Sequence, residues 1–169
     1  SSFLTDGGSA VLLVARERCD QLGLTPRAVV KDYVYAAGDP LEELLAGPAL
    51  AVPLLLERNG LQARDVGVWE IHEAFAAQMV ANLKLMADKK FLEERVGVRI
   101  APIEIPLDRI NPWGGSLSIG HPFGATGGRL LATASRRLQV TGDRYAVVTG
   151  CAAGGHGSAI LLENANAKR

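Results

Sequence analysis

Three polar side chains stand where a strand-like run ends and the chain turns: His72, His121 and Cys151. In open α/β sheets that edge is where ligands bind. An imidazole placed there can donate to a developing oxyanion or move a proton, and a thiol can act as acid, base or nucleophile. Each residue also has a plain structural reading. His72-Glu73 begins a zinc-helix pattern, but HExxH needs a second histidine at position 76, which is Ala76, so the metal reading fails. His72 is then either a helix cap, a surface residue or part of a site. Gly120 and Gly124 allow a sharp turn around His121, and Pro122 biases it toward an extended backbone. That is the setting of a fixed catalytic imidazole or of a histidine satisfied inside a tight turn. Cys151 is followed by Gly154, Gly155 and Gly157 and preceded by Gly150. Glycines at this density let backbone N–H groups approach a ligand, as an oxyanion hole requires; a buried inert thiol is the alternative. Cys19 lies in a charged stretch without such a setting and reads as structural.

These three positions need elements to hold them, and strand and helix signals alternate along the chain with no repeat or low-complexity tract. The run from Ser9 to Val14 passes into a helical stretch, Ala15 to Leu22, closed by Gly23. Ala28 to Ala36 and Val66 to Ile71 read as strands. Ala49 to Asn59 reads as a helix with Pro53 in its first turn, and Ala74 to about Met86 as a second long helix. Asp88 to Pro106 mixes charges with Val96, Val98 and Ile100 and reads as an insertion or loop. Thr126 to Val140 is a helix hung on a glycine-rich turn, with Leu130, Ala134 and Leu138 on one face. Strands Tyr145 to Thr149 and Ser158 to Glu163, joined by a glycine turn, are expected to pair antiparallel. The expected fold is one α/β domain over 1–169, a mixed sheet with helices on both faces.

Lys plus Arg and Asp plus Glu both number 18, so the formal net charge is +0 and no global field favours nucleic acid or an anionic membrane. No apolar run approaches the roughly 20 residues a membrane helix needs, which reads as a soluble protein. Two cysteines in unlike surroundings do not make a disulfide framework, which fits a reducing compartment. The opening Ser1-Ser2-Phe3-Leu4-Thr5-Asp6 resembles neither a signal peptide nor a translation start, so the chain reads as cut from something longer.

Together these segments resemble the C-terminal half of the thiolase superfamily. Residues 2–8 look like the opening of that domain, His72-Glu73-Ala74-Phe75-Ala76 like its NEAF box, and Asn111 to Gly128 like its N-x-x-GG…GHPxGxxG signature. Cys151 to Gly157 is similar to the CxGGGxG loop. Four motifs in the family's order are far more specific than any one glycine pattern. Two positions depart from the common pattern: His72 stands where most members have asparagine, and Ala152-Ala153 precede Gly154-Gly155. Both departures, with Trp113 and the Gly114-to-Ser118 run, look like the β-subunit branch of the trifunctional fatty-acid oxidation enzymes.

The resemblance implies an acyltransferase that cleaves 3-ketoacyl-CoA by thiolysis or runs the reverse Claisen condensation. It makes His121 the histidine that activates the nucleophile and lines the first oxyanion hole, Cys151 the second, acid/base cysteine, and the Ala153 backbone N–H part of a second oxyanion hole. At His72 an imidazole in place of the usual asparagine could donate directly to the oxyanion and change charge near neutral pH. Ser2 would contact the pantetheine arm of coenzyme A. The nucleophilic cysteine belongs to the family's N-terminal domain and has no counterpart here, so the isolated chain is expected to be inactive. Coenzyme A is then a substrate, with no metal or redox cofactor. The implied partners are acyl-CoA and CoA, the N-terminal domain, further copies in a homo-oligomer and a hydratase/dehydrogenase subunit, with no nucleic acid. The implied location is cytoplasmic, or mitochondrial in a eukaryote. The open alternatives are another condensing enzyme of the superfamily and a non-catalytic CoA-binding or assembly module.

Overall fold

In the computed structural model, residues 3–167 are described. Strands β1 (Ala28–Ala37), β2 (Val66–Ile71), β3 (Tyr145–Ala152) and β4 (His156–Asn164) form one sheet in the order β1-β4-β3-β2. The β1/β4 and β3/β4 pairs are antiparallel and β2/β3 is parallel, so the sheet is mixed and the last two strands pair as their glycine turn predicts. Alternation along β3 sorts its side chains to two faces. Val147 joins Trp69, Ile71, Ala159 and Leu161 beneath helix α2 (Gly47–Arg58). Ala146 and Val148 join Val68 and Leu162 beneath the longest helix, Phe123–Thr141, which contributes Leu130, Ala134 and Leu138. Helices therefore cover both faces, and the predicted apolar stripe of the long helix is the one that packs.

Several boundaries move for identifiable reasons. The apolar run at 9–14 forms neither strand nor helix, and Leu12 and Leu13 are exposed; a short helix, α1 (Arg16–Gln21), follows, with Gly23 left-handed (φ 62°) just beyond it. Cys19 is the one buried residue of α1, in keeping with a structural role. Helix α2 starts earlier than expected, at Gly47-Pro48, so Pro53 falls in its interior, where it donates no helical hydrogen bond. That early start depends on close backbone contact: a Cβ on Gly157 would lie 2.2 Å from the Gly47 carbonyl carbon. Helix α3 (Ala76–Ala87) begins two residues late because Phe75 remains extended (φ −148°).

The stretch 88–106 is no plain loop. A π-helical turn, Phe91–Val96, is closed by Gly97 in the left-handed region (φ 81°), and Leu92, Val98 and Ile103 are buried. Arg95 donates to both Glu43 carboxylate oxygens at 2.8 and 2.6 Å, and Glu57 accepts the Arg99 N–H at 2.6 Å. The short helix α4 (Ser116–Ile119) precedes α5 (Phe123–Thr141). Arg137 of α5 makes a buried ion pair with Glu70 of β2 at 2.7 Å and also donates to the Trp69 and Arg109 carbonyls, at 3.0 Å each. This bond set fastens α5 to the β2 edge and fixes where the segment before α4 must run.

Candidate active site

β2 ends at Ile71 and β3 continues past the paired Thr149 toward Cys151, so the parallel register sets His72 beside the approach to Cys151. The His72 N–H donates to the Thr149 carbonyl at 2.8 Å, which carries the strand pairing one residue further. On its other side β2 is held by Asn111, whose amide oxygen accepts the Ile71 N–H (2.8 Å) and whose amide nitrogen donates to the Ile71 carbonyl (2.7 Å). Asn111 reaches this position with a left-handed backbone (φ 45°), a conformation asparagine adopts more readily than most residues. Its amide also donates to Glu73 at 2.7 Å, and the second Glu73 oxygen accepts the Leu117 N–H at 3.0 Å. Glu73 lies flat on Gly115, where a Cβ would sit 2.1 Å from the carboxyl carbon. Glu73 is therefore a clamp between the β2 end and α4.

His72 does not cap α3, whose N-cap is Phe75 without a side-chain bond. It is buried, and its ring stacks on His121 with centroids 4.2 Å apart at a 39° tilt. His72 Nδ1 lies 3.1 Å from Ser116 Oγ, and His121 Nδ1 lies 2.7 Å from Thr126 Oγ1 in the first turns of α5. Phe123 packs on the outer side of His121, centroids 4.8 Å apart. Gly120 provides the sharp turn before His121 (φ 94°), in a spot where a Cβ would strike Thr5. Gly124 does not share that task; it is an ordinary residue of α5.

His72, His121 and Cys151 line one cleft of about 420 Å³, walled also by Tyr35, Phe123, Leu130, Leu131, Val148, Ile160 and His156. Burial lowers the His72 pKa to about 4, helped by the charges of His121 and Arg129. That corrects the expectation that His72 changes charge near neutral pH. Burial, then Arg129, also pulls His121 below the ordinary histidine range, and burial pushes the Cys151 thiol up. At neutral pH His72 and His121 are therefore neutral and the Cys151 thiol is protonated.

Cys151 belongs to β3 itself, and the turn is Ala153 to Gly155. The glycine density read as room for a ligand has a packing cause: Gly154 and Gly155 are left-handed (φ 96° and 78°), a Cβ on Gly155 would hit the Gly38 carbonyl, and Gly157 is pressed on Gly47. Ala153 is exposed in the turn and lies outside the cleft wall, which takes Ala152 and His156 instead. Ser2 lies outside the described residues. Sequence reading missed Ser116, Thr126 and Arg129. Thr126 was detectable as a hydroxyl five residues past His121, in the predicted helix, but Ser116 and Arg129 reach His72 only through the fold. Among the described residues, no three His, Cys, Asp or Glu side chains gather into a metal-ligand set, and no helix is long and apolar enough to cross a membrane.

Fold and site thus define an α/β domain that presents imidazoles and a thiol at one sheet edge. Residues 24–164 match the family described as Thiolase, C-terminal domain, and the chain belongs to that family. It is 48% identical over 163 residues to the mitochondrial trifunctional enzyme subunit beta of Bos taurus, covering 96% of this chain and 34% of that protein. It is also 48% identical to a probable 3-ketoacyl-CoA thiolase of Caenorhabditis elegans, covering 96% of this chain and 36% of that one. A solved acetyl-CoA acetyltransferase from Syntrophomonas wolfei superposes with a TM-score of 0.74 at 29% identity, covering 89% of this chain and 35% of that chain. The chain therefore spans about a third of the length of the curated relatives it matches.

Proposed function

We propose that this chain supplies the acid/base and oxyanion-stabilising half of a thiolase that cleaves 3-ketoacyl-CoA to acetyl-CoA and a shortened acyl-CoA, or runs the reverse condensation. The observation that carries the reading is the convergence of His72, His121 and Cys151 on one cleft, with the two rings in contact. The cysteine nucleophile comes from a preceding domain. His121, neutral at working pH, takes the proton of that thiol. The thiolate attacks the 3-keto carbon, the C2–C3 bond breaks, and its electron pair leaves as the acetyl-CoA enolate. His72 donates to the developing oxyanion, and the Cys151 S–H delivers its proton to C2. The resulting Cys151 thiolate then takes the proton of an incoming CoA thiol, whose sulfur attacks the acyl-enzyme; the thioester bond to the enzyme breaks, and the released cysteine thiolate regains its proton from His121. The raised pKa of Cys151 suits the first of these steps, because the proton to be given is already on sulfur. The Ala153 N–H and Ser2 are proposed contacts for the second oxyanion and the pantetheine arm.

Likeness to a mitochondrial trifunctional enzyme subunit supports association with a hydratase/dehydrogenase subunit, and the mitochondrion in a eukaryote; a homo-oligomer and, in a bacterium, the cytoplasm are proposed with it. The test is thiolysis of a 3-ketoacyl-CoA by the 169-residue chain alone and by the chain joined to a nucleophile-bearing first half. Turnover is expected only in the second case. Turnover by the chain alone, unchanged when Cys19 is replaced, would refute the half-site reading; CoA binding without turnover by the joined protein would favour a non-catalytic module.

A further inference from the structure

We propose that Ser116, held by Arg129, fixes His72 in the tautomer that carries its proton on Nε2, and so makes His72 a permanent hydrogen-bond donor toward the cleft. The inference deepens the thiolase reading and rests on it for the catalytic consequence, though not for the tautomer.

Ser116 is the first residue of α4 and is completely buried. Its Oγ has two neighbours among the described residues: His72 Nδ1 at 3.1 Å and Arg129 Nη2 at 3.2 Å. A guanidinium only donates, so Arg129 must give a proton to Oγ. A second Arg129 nitrogen donates to the Gly114 carbonyl at 3.4 Å, which steadies the guanidinium over α4. The Ser116 hydroxyl keeps one proton of its own, and His72 Nδ1 is the acceptor in reach. Were Nδ1 protonated instead, two donors would converge on Oγ, and a buried hydroxyl proton would be left unmatched. His72 Nδ1 is therefore the acceptor, and the ring proton resides on Nε2, the nitrogen without a protein partner among the described residues.

Among the described residues, the groups that act on the His72 ring do not reverse this choice. His121 faces the ring from the α4–α5 turn and Arg129 from α5, and both disfavour a cationic His72. Cys151 faces the same cleft as a protonated thiol. Glu73 is turned onto Gly115, with its oxygens taken by Asn111 and the Leu117 N–H. His121 is held differently. Thr126 Oγ1 has no arginine on it among the described residues, so that hydroxyl can donate or accept, and His121 stays able to take and return a proton. Two imidazoles in contact thus receive different tasks from the hydroxyls behind them.

Ser116 and Arg129 are positioning residues, so the test reads the tautomer directly. Long-range 1H–15N spectra of the histidine-labelled complete protein, with His72 assigned by its loss in His72→Asn, should show a bare Nδ1 and a protonated Nε2. Ser116→Ala should mix the tautomers and lower kcat for 3-ketoacyl-CoA thiolysis about 10- to 100-fold, the scale known for losing the outer partner of a metal-bound imidazole, with KM little changed. Ser116→Thr should keep the wild-type tautomer. A protonated Nδ1 in the wild type overturns the proposal, whether or not any variant folds. So does Ser116→Ala with unaltered His72 signals, or with a mixed tautomer and wild-type kcat. The expected tautomer in a wild-type protein without thiolysis would overturn the thiolase reading and leave the Ser116 assignment standing.

Discussion

Replacing His72 with asparagine should remove a pH-dependent loss of stability whose size follows from the burial of the ring. The folded-state pKa of about 4 lies below the unfolded value of 6.5. Between these values the unfolded chain binds the proton and the folded chain does not, so stability present above pH 6.5 is lost as pH falls toward 4. At about 1.4 kcal/mol per pH unit, the full span is worth about 3 kcal/mol, of which about 2 kcal/mol is lost between about pH 7 and pH 5. His121 contributes a change of the same sign, so the informative quantity is the wild-type curve minus the His72→Asn curve. Urea unfolding at half-unit pH steps in this window should show that difference falling by the stated amount. Parallel curves would mean that His72 titrates like an exposed histidine, and its stacking on His121 and bond to Ser116 would then be wrong. The same burial moves the His72 limb of the turnover profile down to about pH 4, so wild type and His72→Asn should share their limb near neutrality.

Other outcomes follow from the same geometry. His72→Ala in the complete enzyme should cost about 2.7–4 kcal/mol of transition-state stabilisation, the value of one oxyanion donor, while His72→Asn keeps measurable activity; steady-state kcat/KM reads both. Cys151→Ala should lower kcat by about two to four orders of magnitude with substrate binding little changed, the scale for a positioned acid/base; wild-type turnover would return Cys151 to a structural role. Arg137→Met should destabilise the fold by about 3–5 kcal/mol in denaturant melts, because Glu70 would be left buried without its partner. Gly157→Ala should cost about 1–3 kcal/mol or more, since its Cβ meets the Gly47 backbone, and the loss should show as a lowered unfolding midpoint.

Local chemistry was written plainly in the sequence. A short apolar run gave β2 its bounds from Val66 to Ile71, the helical stripe of Leu130, Ala134 and Leu138 picked the face that packs, and the glycine turn implied the antiparallel β3/β4 pair. These signals depend on backbone period and φ, which neighbours in the chain already fix. The motif order also placed His72, His121 and Cys151 at the ends of elements, and the fold brings all three to one cleft. Other features arise only between segments far apart in the chain. Pro53 could be read as a first-turn residue until the Gly47–Gly157 contact set the start of α2. The glycines after Cys151 looked like ligand space until Gly38 and Gly47 were seen against them. The protonation of His72 depends on burial beneath His121 and on the charge of Arg129, 57 positions further along the chain. Ser116, 44 residues away, decides which ring nitrogen is left to donate. A sequence shows which side chains are able to carry a proton, but desolvation and hydrogen-bond partners decide which of them does, and those are properties of packed neighbours.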